Sequence, residues 1–170
     1  MSSFDPTTLH GARRPRGLTS FTLGTGLTAG LLFALGADSR VHTYTVSDLM
    51  PQTAGYQHEK MQTNSFYVRV AVSPCGNWLS SGSNGTGGVF LYDVSNASRP
   101  SQMTATCASA GVELRGQKGE VGAVDWAEGM LATCADDGSV RVWRPDVDVY
   151  RTCKGKPEEC KWDWAWALEE

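Results

Sequence analysis

The sequence predicts an all-β protein built from short strands that tight turns connect. Apolar and polar residues alternate in several short runs, as they do in strands with one buried face; one example is Ser139–Arg144. Nineteen glycines among 170 residues, about 11% against a background near 7%, indicate many turns. Seven prolines and the lack of a glycine period exclude a collagen-like chain.

Length and composition limit the class of protein. A chain of 170 residues has room for one domain, or two very small ones, with a sizeable core. Hydrophobic residues make up 41% and charged residues 19%, which excludes a wholly disordered chain. The net charge of −3 argues against non-specific nucleic-acid binding. The basic run Arg13–Arg16 fits a solvated linker better than a DNA contact or a nuclear address.

Neither export nor membrane insertion is indicated. Residues 1–18 lack the apolar core of a secretory signal, and the apolar stretch 27–37 is shorter than the about 20 residues that span a membrane. The cysteines are odd in number and lack Cys-x-x-Cys spacing: Cys75, Cys107, Cys134, Cys153 and Cys160. They favour reduced, buried thiols in a nuclear or cytoplasmic protein over a disulfide framework.

Three segments repeat one plan of three strands, the last of which ends in an aromatic residue. They span about 18–47, 66–95 and 121–144, with spacings somewhat above the roughly 40–45 residues of a propeller blade. In the second unit the first strand is predicted over Phe66–Ser73. The excess length falls in the connections 48–62 and 95–119, where insertions are tolerated. Each sheet needs a neighbouring sheet to cover its face, so we expect about three radially stacked, four-stranded blades over 18–144.

Polar residues inside each unit can fix its turns. Asp137 lies six residues before Trp143, and a carboxylate in a tight turn can accept backbone N–H groups and hold two strands in register. A hydroxyl such as that of Thr133 can join the Trp143 indole in a buried polar network. We assign such structural roles to seven positions: Asp38, Tyr44, Ser81, Tyr92, Thr133, Asp137 and Trp143.

The third unit resembles a WD repeat, with Val121–Trp126 followed by Ala132–Trp143. The order of all three units over about Arg16–Arg144 resembles the C-terminal half of the denticleless family. The runs that carry this likeness are Gly17–Ser20, Thr63–Val68, Ser73–Pro74 and Leu79–Ser83.

That resemblance implies a seven-bladed propeller that serves as a substrate receptor of the Cullin-4 RING ubiquitin ligase in the nucleus. It also implies an adaptor partner, the damage-specific DNA-binding protein. Substrates of the family carry a degron displayed on the chromatin-loaded sliding clamp, and their ubiquitination limits DNA replication to once per cycle.

The chain departs from the WD pattern in two respects. The units end in Tyr44-Thr45, Tyr92-Asp93 and Trp143-Arg144, without the Trp-Asp-x-Arg box that contacts the adaptor. Gly116-Gln117 occupies the place of a Gly-His dipeptide in the third unit, and His58 is a loose match in the second. Because propellers typically have 4–8 blades, three cannot close a ring, and we expect a fragment that lacks N-terminal blades.

In a propeller, the loops that enter a blade and the turns between its second and third strands share one face. Lysines mixed with acidic groups on that face suit the pairing of a short peptide better than the binding of phosphate. We predict that degron peptides dock there, on Lys60, Asn64, Tyr67, Asn84, Lys118, Glu120 and Asp136.

Enzymatic alternatives have little support in the sequence. Gly24–Ala29 fits G-x-G-x-x-A, as in NAD-binding enzymes, but the apolar run after it is too short for the required helix, so we predict a turn between strands. His10, His42 and His58 do not cluster, and we predict no metal, no cofactor and no catalysis. A WD-repeat scaffold without a link to ubiquitin stays open as an alternative.

The two ends of the chain are assigned separately. Residues 1–17 form a linker or part of an outer strand, and 145–170 form a Trp-rich tail. Trp162, Trp164 and Trp166 alternate, which indicates a strand with one buried face or a short helix that docks on the last blade. An aromatic anchor for a partner protein is the alternative.

Overall fold

The computed structural model describes residues 17–85, 87–98 and 106–144, with the backbone alone for Thr106, Cys107 and Ser109. The linker 1–16 and the tail 145–170 lie outside these residues. The strands are β1 (Leu18–Leu23), β2 (Leu31–Gly36), β3 (Arg40–Thr45), β4 (Pro51–Gln57), β5 (Val70–Val72), β6 (Trp78–Ser81), β7 (Val89–Asp93), β8 (Thr106–Ser109), β9 (Val112–Leu114), β10 (Val121–Ala127), β11 (Met130–Ala135) and β12 (Val140–Trp143). In the described part of the chain, no helix is long and apolar enough to cross a membrane.

The strands form three sheets, which we call blades 1, 2 and 3, and neighbouring strands run antiparallel in all pairs except β4 and β8. Blade 1 has the order β1-β2-β3-β4, blade 2 the order β5-β6-β7-β9, and blade 3 the order β10-β11-β12. The first strands β1, β5 and β10 lie beside one another, so each blade starts on the inside and extends outwards. The predicted all-β partial propeller is confirmed.

The strand count per blade differs from the predicted four. Blade 1 gains β8, which pairs in parallel with the outer strand β4, so the three sheets have five, four and three strands. β8 comes from the insertion between β7 and β9 of blade 2. A segment that the sequence marks as a tolerated insertion therefore returns to blade 1 and links the two blades at their outer edge.

The core consists of two apolar layers, one on each face of blade 2. Val70 and Val72 point into the layer against blade 1, whereas Ala71 between them points into the layer against blade 3. The run Val89–Tyr92 divides in the same way, with Phe90 towards blade 1 and Leu91 towards blade 3. Continuous apolar sequence in β7 reflects a strand that is covered on both faces.

Three aromatic rings connect blades 1 and 2. The ring centroid of Tyr56 lies 6.2 Å from that of Phe33 and 5.5 Å from that of Tyr92, in tilted packing. The Tyr92 hydroxyl lies 3.1 Å from the Met61 sulfur. Burial, together with the Asp93 carboxylate, raises the pKa of Tyr56 to about 12, so this ring stays neutral in the core.

The Gly24–Ala29 segment connects two antiparallel strands through a short 3-10 turn, Gly26–Thr28. Thr25 Oγ1 donates to the carbonyl oxygen of Ser73 at 2.6 Å, and Leu27 N donates to that of Cys75 at 3.4 Å. A Cβ on Gly26 would overlap the Cys75 carbonyl. The glycine pattern therefore serves the close approach of blades 1 and 2.

Two expectations, one about the extent of a strand and one about the burial of cysteines, are wrong. The first strand of the second unit was predicted over 66–73, but β5 covers only Val70–Val72, and Phe66 and Tyr67 are 80% and 74% exposed in the loop before it. Cys75 and Cys134 are free thiols, as predicted, but both are exposed. Cys75 lies in a turn, and Cys134 lies on the face of blade 3 that no described sheet covers.

We predict that Gly82→Ala separates blade 3 from blade 2. A Cβ on Gly82 would overlap the Val121 carbonyl oxygen at the start of β10, so the free energy of unfolding should fall by about 1–3 kcal/mol. Urea unfolding, followed by circular dichroism, measures this change. Gly111→Ala is the matched control, because nothing lies within 4 Å of its Cβ position; equal stability of the two variants would contradict the prediction.

Candidate functional site

Loops and turns from all three blades meet on one side of the molecule, which we call the upper face. It consists of the entry loops 58–69 and 115–120 and of the turns 37–39, 82–88 and 136–139, which join second to third strands. The strand directions place these segments at the same end of the blades, as the sequence predicts for a propeller.

The entry loop 58–69 is bound to the turns on both sides of it. Thr63 Oγ1 donates to the Gly36 carbonyl at 2.5 Å and accepts a bond from Ser39 N at 3.1 Å, which fixes the loop to blade 1. Asn84 N donates to the Gln62 carbonyl at 2.7 Å, which fixes it to blade 2. The buried Thr63 therefore holds a connecting loop in one conformation.

The entry loop 115–120 repeats this arrangement between blades 2 and 3. Gly87 N donates to the Gly119 carbonyl at 2.9 Å, and Asp136 N donates to the Glu120 carbonyl at 3.0 Å. Lys118 N donates to Asp137 Oδ2 at 2.8 Å. Each entry loop thus lies between two turns, and the upper face is continuous across the three blades.

A buried polar chain lies beneath this loop in blade 3. The Trp143 indole N–H donates to Thr133 Oγ1 at 2.9 Å, and that hydroxyl donates to Gln117 Oε1 at 2.6 Å. Gln117 Nε2 donates to Ser139 Oγ at 3.1 Å. Gln117 stands where a Gly-His dipeptide would have its histidine. Its side-chain amide joins the entry loop 115–120 to Thr133 on β11 and to Ser139 in the turn before β12.

The aspartates that precede the terminal aromatics by six residues behave differently. Asp137 accepts bonds from the N–H groups of Ser139 at 2.9 Å and Lys118. The hydrogen bond from the Ser139 side chain, together with these two backbone bonds, holds the pKa of Asp137 below the usual value. Asp38 in blade 1 instead lies 3.1 Å from His42 Nε2. The predicted backbone-binding role therefore describes Asp137 better than Asp38.

The other predicted structural positions are distributed over blades 1 and 2. Ser81 is buried and donates to the Gly82 carbonyl at 2.9 Å. A different serine, Ser80, accepts the Trp126 indole N–H at 2.8 Å and so bonds blade 2 to blade 3. Tyr92 is buried between blades, and Tyr44 is half-buried in β3.

The structure places six of the seven predicted partner-binding residues on the upper face, whereas Lys60 lies at the outer edge of blade 2. Asn64 and Asn84 touch through an amide hydrogen bond of 3.1 Å, and Glu120 accepts the Ser65 hydroxyl at 2.9 Å. Tyr67 is exposed nearby. Asn64 and Asn84 therefore belong to one surface at the junction of blades 1 and 2. Two further predicted residues, Lys118 and Asp136, are exposed towards blade 3.

Lys60 lies apart from this surface, at the outer edge of blade 2. Its Nζ donates to Glu113 Oε2 at 3.4 Å, and Arg115 binds the same carboxylate oxygen at 2.6 Å. Burial would raise the pKa of Glu113, but the hydrogen bonds and charges of these two cations hold it below the usual value. Lys60 is thus engaged within the protein.

The upper face contains two residues that the sequence analysis did not include. Phe66 is 80% exposed beside Tyr67, and Arg69, exposed, donates to the Thr19 carbonyl of β1 at 3.3 Å. The buried Val68 anchors the backbone that follows this aromatic pair. Because the alternating pattern predicts Phe66 within a strand, the sequence did not indicate that this side chain is exposed in a loop. Exposed aromatic pairs on fixed loops are typical of protein-binding surfaces.

Within the described ranges, no group of three or more histidine, cysteine or acidic residues could hold a metal ion. Comparison with known proteins finds that the family described as "WD domain, G-beta repeat" matches residues 58–90 and 108–144. Structure comparison finds U3-55K, with a TM-score of 0.59 and 14% identity over 77% of this chain and 37% of that one. The WD40 repeats of RRP9 match with a TM-score of 0.55 and the same identity. These structures support the propeller fold alone.

Relatives with higher sequence identity come from the denticleless group. The chain is 35% identical to the cell division cycle protein cdt2 of Schizosaccharomyces pombe over 68% of its own length, and 31% identical to denticleless protein homolog A of Xenopus laevis over 78%. The human denticleless homolog is 27% identical over 69% of the chain. The chain spans 23%, 17% and 15% of the lengths of these relatives.

We predict that Thr133→Val lowers the free energy of unfolding by about 1–3 kcal/mol, because the Trp143 N–H and the Gln117 carbonyl then lose their buried partner. Chemical denaturation measures the loss, and Thr53→Val, at an exposed position of β4, is the control. A double-mutant cycle with Trp143→Phe should show a combined cost below the sum of the two single costs. Additive costs would contradict the network.

A second prediction concerns the stability of the protein at acidic pH. Because the pKa of Asp137 is lowered in the folded chain, its ionised form adds stability above the usual pKa of 3.8, and that stability is lost as the pH falls below this value. Asp137→Asn should therefore reduce the drop in melting temperature between pH 5 and pH 3. Thermal unfolding at the two pH values tests this; an unchanged drop in the variant would exclude Asp137 as a contributor.

Proposed function

Because the chain is a WD-repeat protein that resembles the denticleless family, we propose that it acts as a substrate receptor of a Cullin-4 RING ubiquitin ligase. The observation that carries this proposal is the 35% identity with a cell division cycle protein over 68% of this chain. In this role the chain performs no chemistry itself. It binds the substrate while other subunits transfer ubiquitin, and the substrates are DNA-replication licensing or other cell-cycle proteins in the nucleus.

The upper face is the proposed substrate-binding surface. Its entry loops are fixed by backbone hydrogen bonds to neighbouring turns, so little ordering is required when a peptide binds. Phe66 and Tyr67 offer a large apolar contact, and Lys118, Glu120 and Asp136 offer both signs of charge beside it. Such a surface suits an extended degron peptide, with the aromatic pair as its anchor.

The adaptor contact needs residues other than a Trp-Asp-x-Arg box. Blade 3 ends in Trp143-Arg144. Trp143 is buried, and Arg144 is exposed at the end of β12 that lies opposite to the upper face. In the denticleless family the adaptor is the damage-specific DNA-binding protein, and we propose the same partner here. Co-purification with that adaptor distinguishes a ligase receptor from a WD-repeat scaffold of another complex.

We predict that Tyr67→Ala combined with Phe66→Ala weakens binding of a fluorescent degron peptide on the sliding clamp by about tenfold or more, since both rings lie on the proposed surface. Fluorescence anisotropy measures the affinity. Lys118→Ala should reduce it less. Lys60→Ala should have little effect, because this side chain already pairs with Glu113.

The matched control is Met50→Ala, which removes a similarly exposed apolar side chain from the turn at the opposite end of blade 1. Full affinity in the aromatic double variant would exclude the upper face as the peptide site. If the peptide binds normally but the adaptor does not co-purify, the proposed peptide site is supported and the proposed link to the ligase is contradicted.

A further inference from the structure

Two sheet faces have no neighbouring sheet among the described residues, one at each end of the row of blades. On blade 1, Phe21 and Leu23 are 70% and 54% exposed. On blade 3, Val140 and Val142 are 68% and 59% exposed. Both faces of blade 2, by contrast, pack against a neighbouring blade through an apolar layer.

The uncovered face of blade 3, which we call the open face, is flat and apolar. In the sheet register Val140 is opposite Cys134, and Val142 is opposite Ala132. Cys134 is also opposite Ala123 on β10. These five side chains lie on one side of the sheet, opposite to the buried Leu131 and Trp143, and most of them are small. A floor of small side chains leaves room for large rings to pack against it.

The chain leaves the described structure from this same blade. Arg144 directly follows β12, and 26 residues come after it. Seventeen of them separate Arg144 from Trp162. Even a random coil of that length has a mean end-to-end distance of roughly 23 Å, whereas packed sheets lie only about 10 Å apart. The segment that begins at Trp162 can therefore reach the open face, whereas blade 1 lies beyond blade 2.

The composition of that segment fits the open face. In an extended chain Trp162, Trp164, Trp166 and Leu168 share one side, since successive side chains alternate. Asp163 then lies on the opposite side, as a polar residue should in a covering strand. Lys161 precedes the tryptophans, and the exposed Asp125 of β10 provides an opposite charge on the open face.

We propose that residues 162–168 fold back onto the open face of blade 3 and cover Cys134, Val140 and Val142. The tail then takes the place of a neighbouring blade at this end of the row. It removes an exposed apolar strip that would otherwise bind other copies of the chain, as the terminal units of repeat proteins do. This inference is independent of the proposed ligase function.

Cys134 offers a direct test, because its thiol lies on the open face, while the exposed Cys75 lies in a turn of blade 2 outside it. Iodoacetamide labelling of the whole chain, read for each cysteine by mass spectrometry, gives both rates. We expect Cys134 to react slowly in the unchanged chain. When Trp162, Trp164 and Trp166 are all changed to alanine, the labelling rate of Cys134 should rise by about tenfold or more. The rate at Cys75 should not change.

Asp163→Ala is the matched control, since it alters the same segment on its opposite side, and it should leave Cys134 protected. Near-ultraviolet circular dichroism shows whether the blades of each variant remain folded. Equal labelling of Cys134 before and after removal of the tryptophans would overturn the proposal. Protection that disappears when the chain is diluted a hundredfold would also overturn it, because a second copy would then be the cover.

Discussion

The structure depends on the burial of both faces of its middle sheet. Blade 2 has apolar side chains on each side of β5 and β7, so it cannot be stable without a sheet against each face. This requirement fixes the order of the three blades and places their first strands side by side. The tight turns and glycine contacts follow from it, since they are the points where the backbones of neighbouring blades approach one another.

Stacking of this kind brings together loops that are distant in sequence. The loops that enter blades 2 and 3 each lie between two turns, and hydrogen bonds from their backbone and side chains join them to both turns. The buried Gln117–Thr133–Trp143 chain supports one such loop from below. A binding surface therefore arises on connecting segments whose conformations the core already determines, which is how rigid scaffolds generally present functional residues.

The relation to the denticleless group rests on sequence identity of 35% and 31% over 68% and 78% of this chain. These relatives are several times longer than this chain, so their activities and partners come to it as proposals, each with its own experiment. The upper face and the open face of blade 3 have separate tests, because one concerns a partner protein and the other the packing of the chain on itself.

The sequence by itself determined the three units, the first three strands of each apart from the start of β5, and the WD resemblance, because period-two alternation and turn residues are local signals. β4, β8 and β9 lie in the segments 48–62 and 95–119, which the sequence predicts as connections. The sequence also identified Thr133 and Trp143 as candidates for a polar network. Only the tertiary structure decided that Gln117 completes that network, that β8 joins blade 1, and that Phe66 and Cys134 are exposed. These features depend on which sheet lies against each face, and contacts between residues far apart in the chain leave no periodic signal in a single sequence.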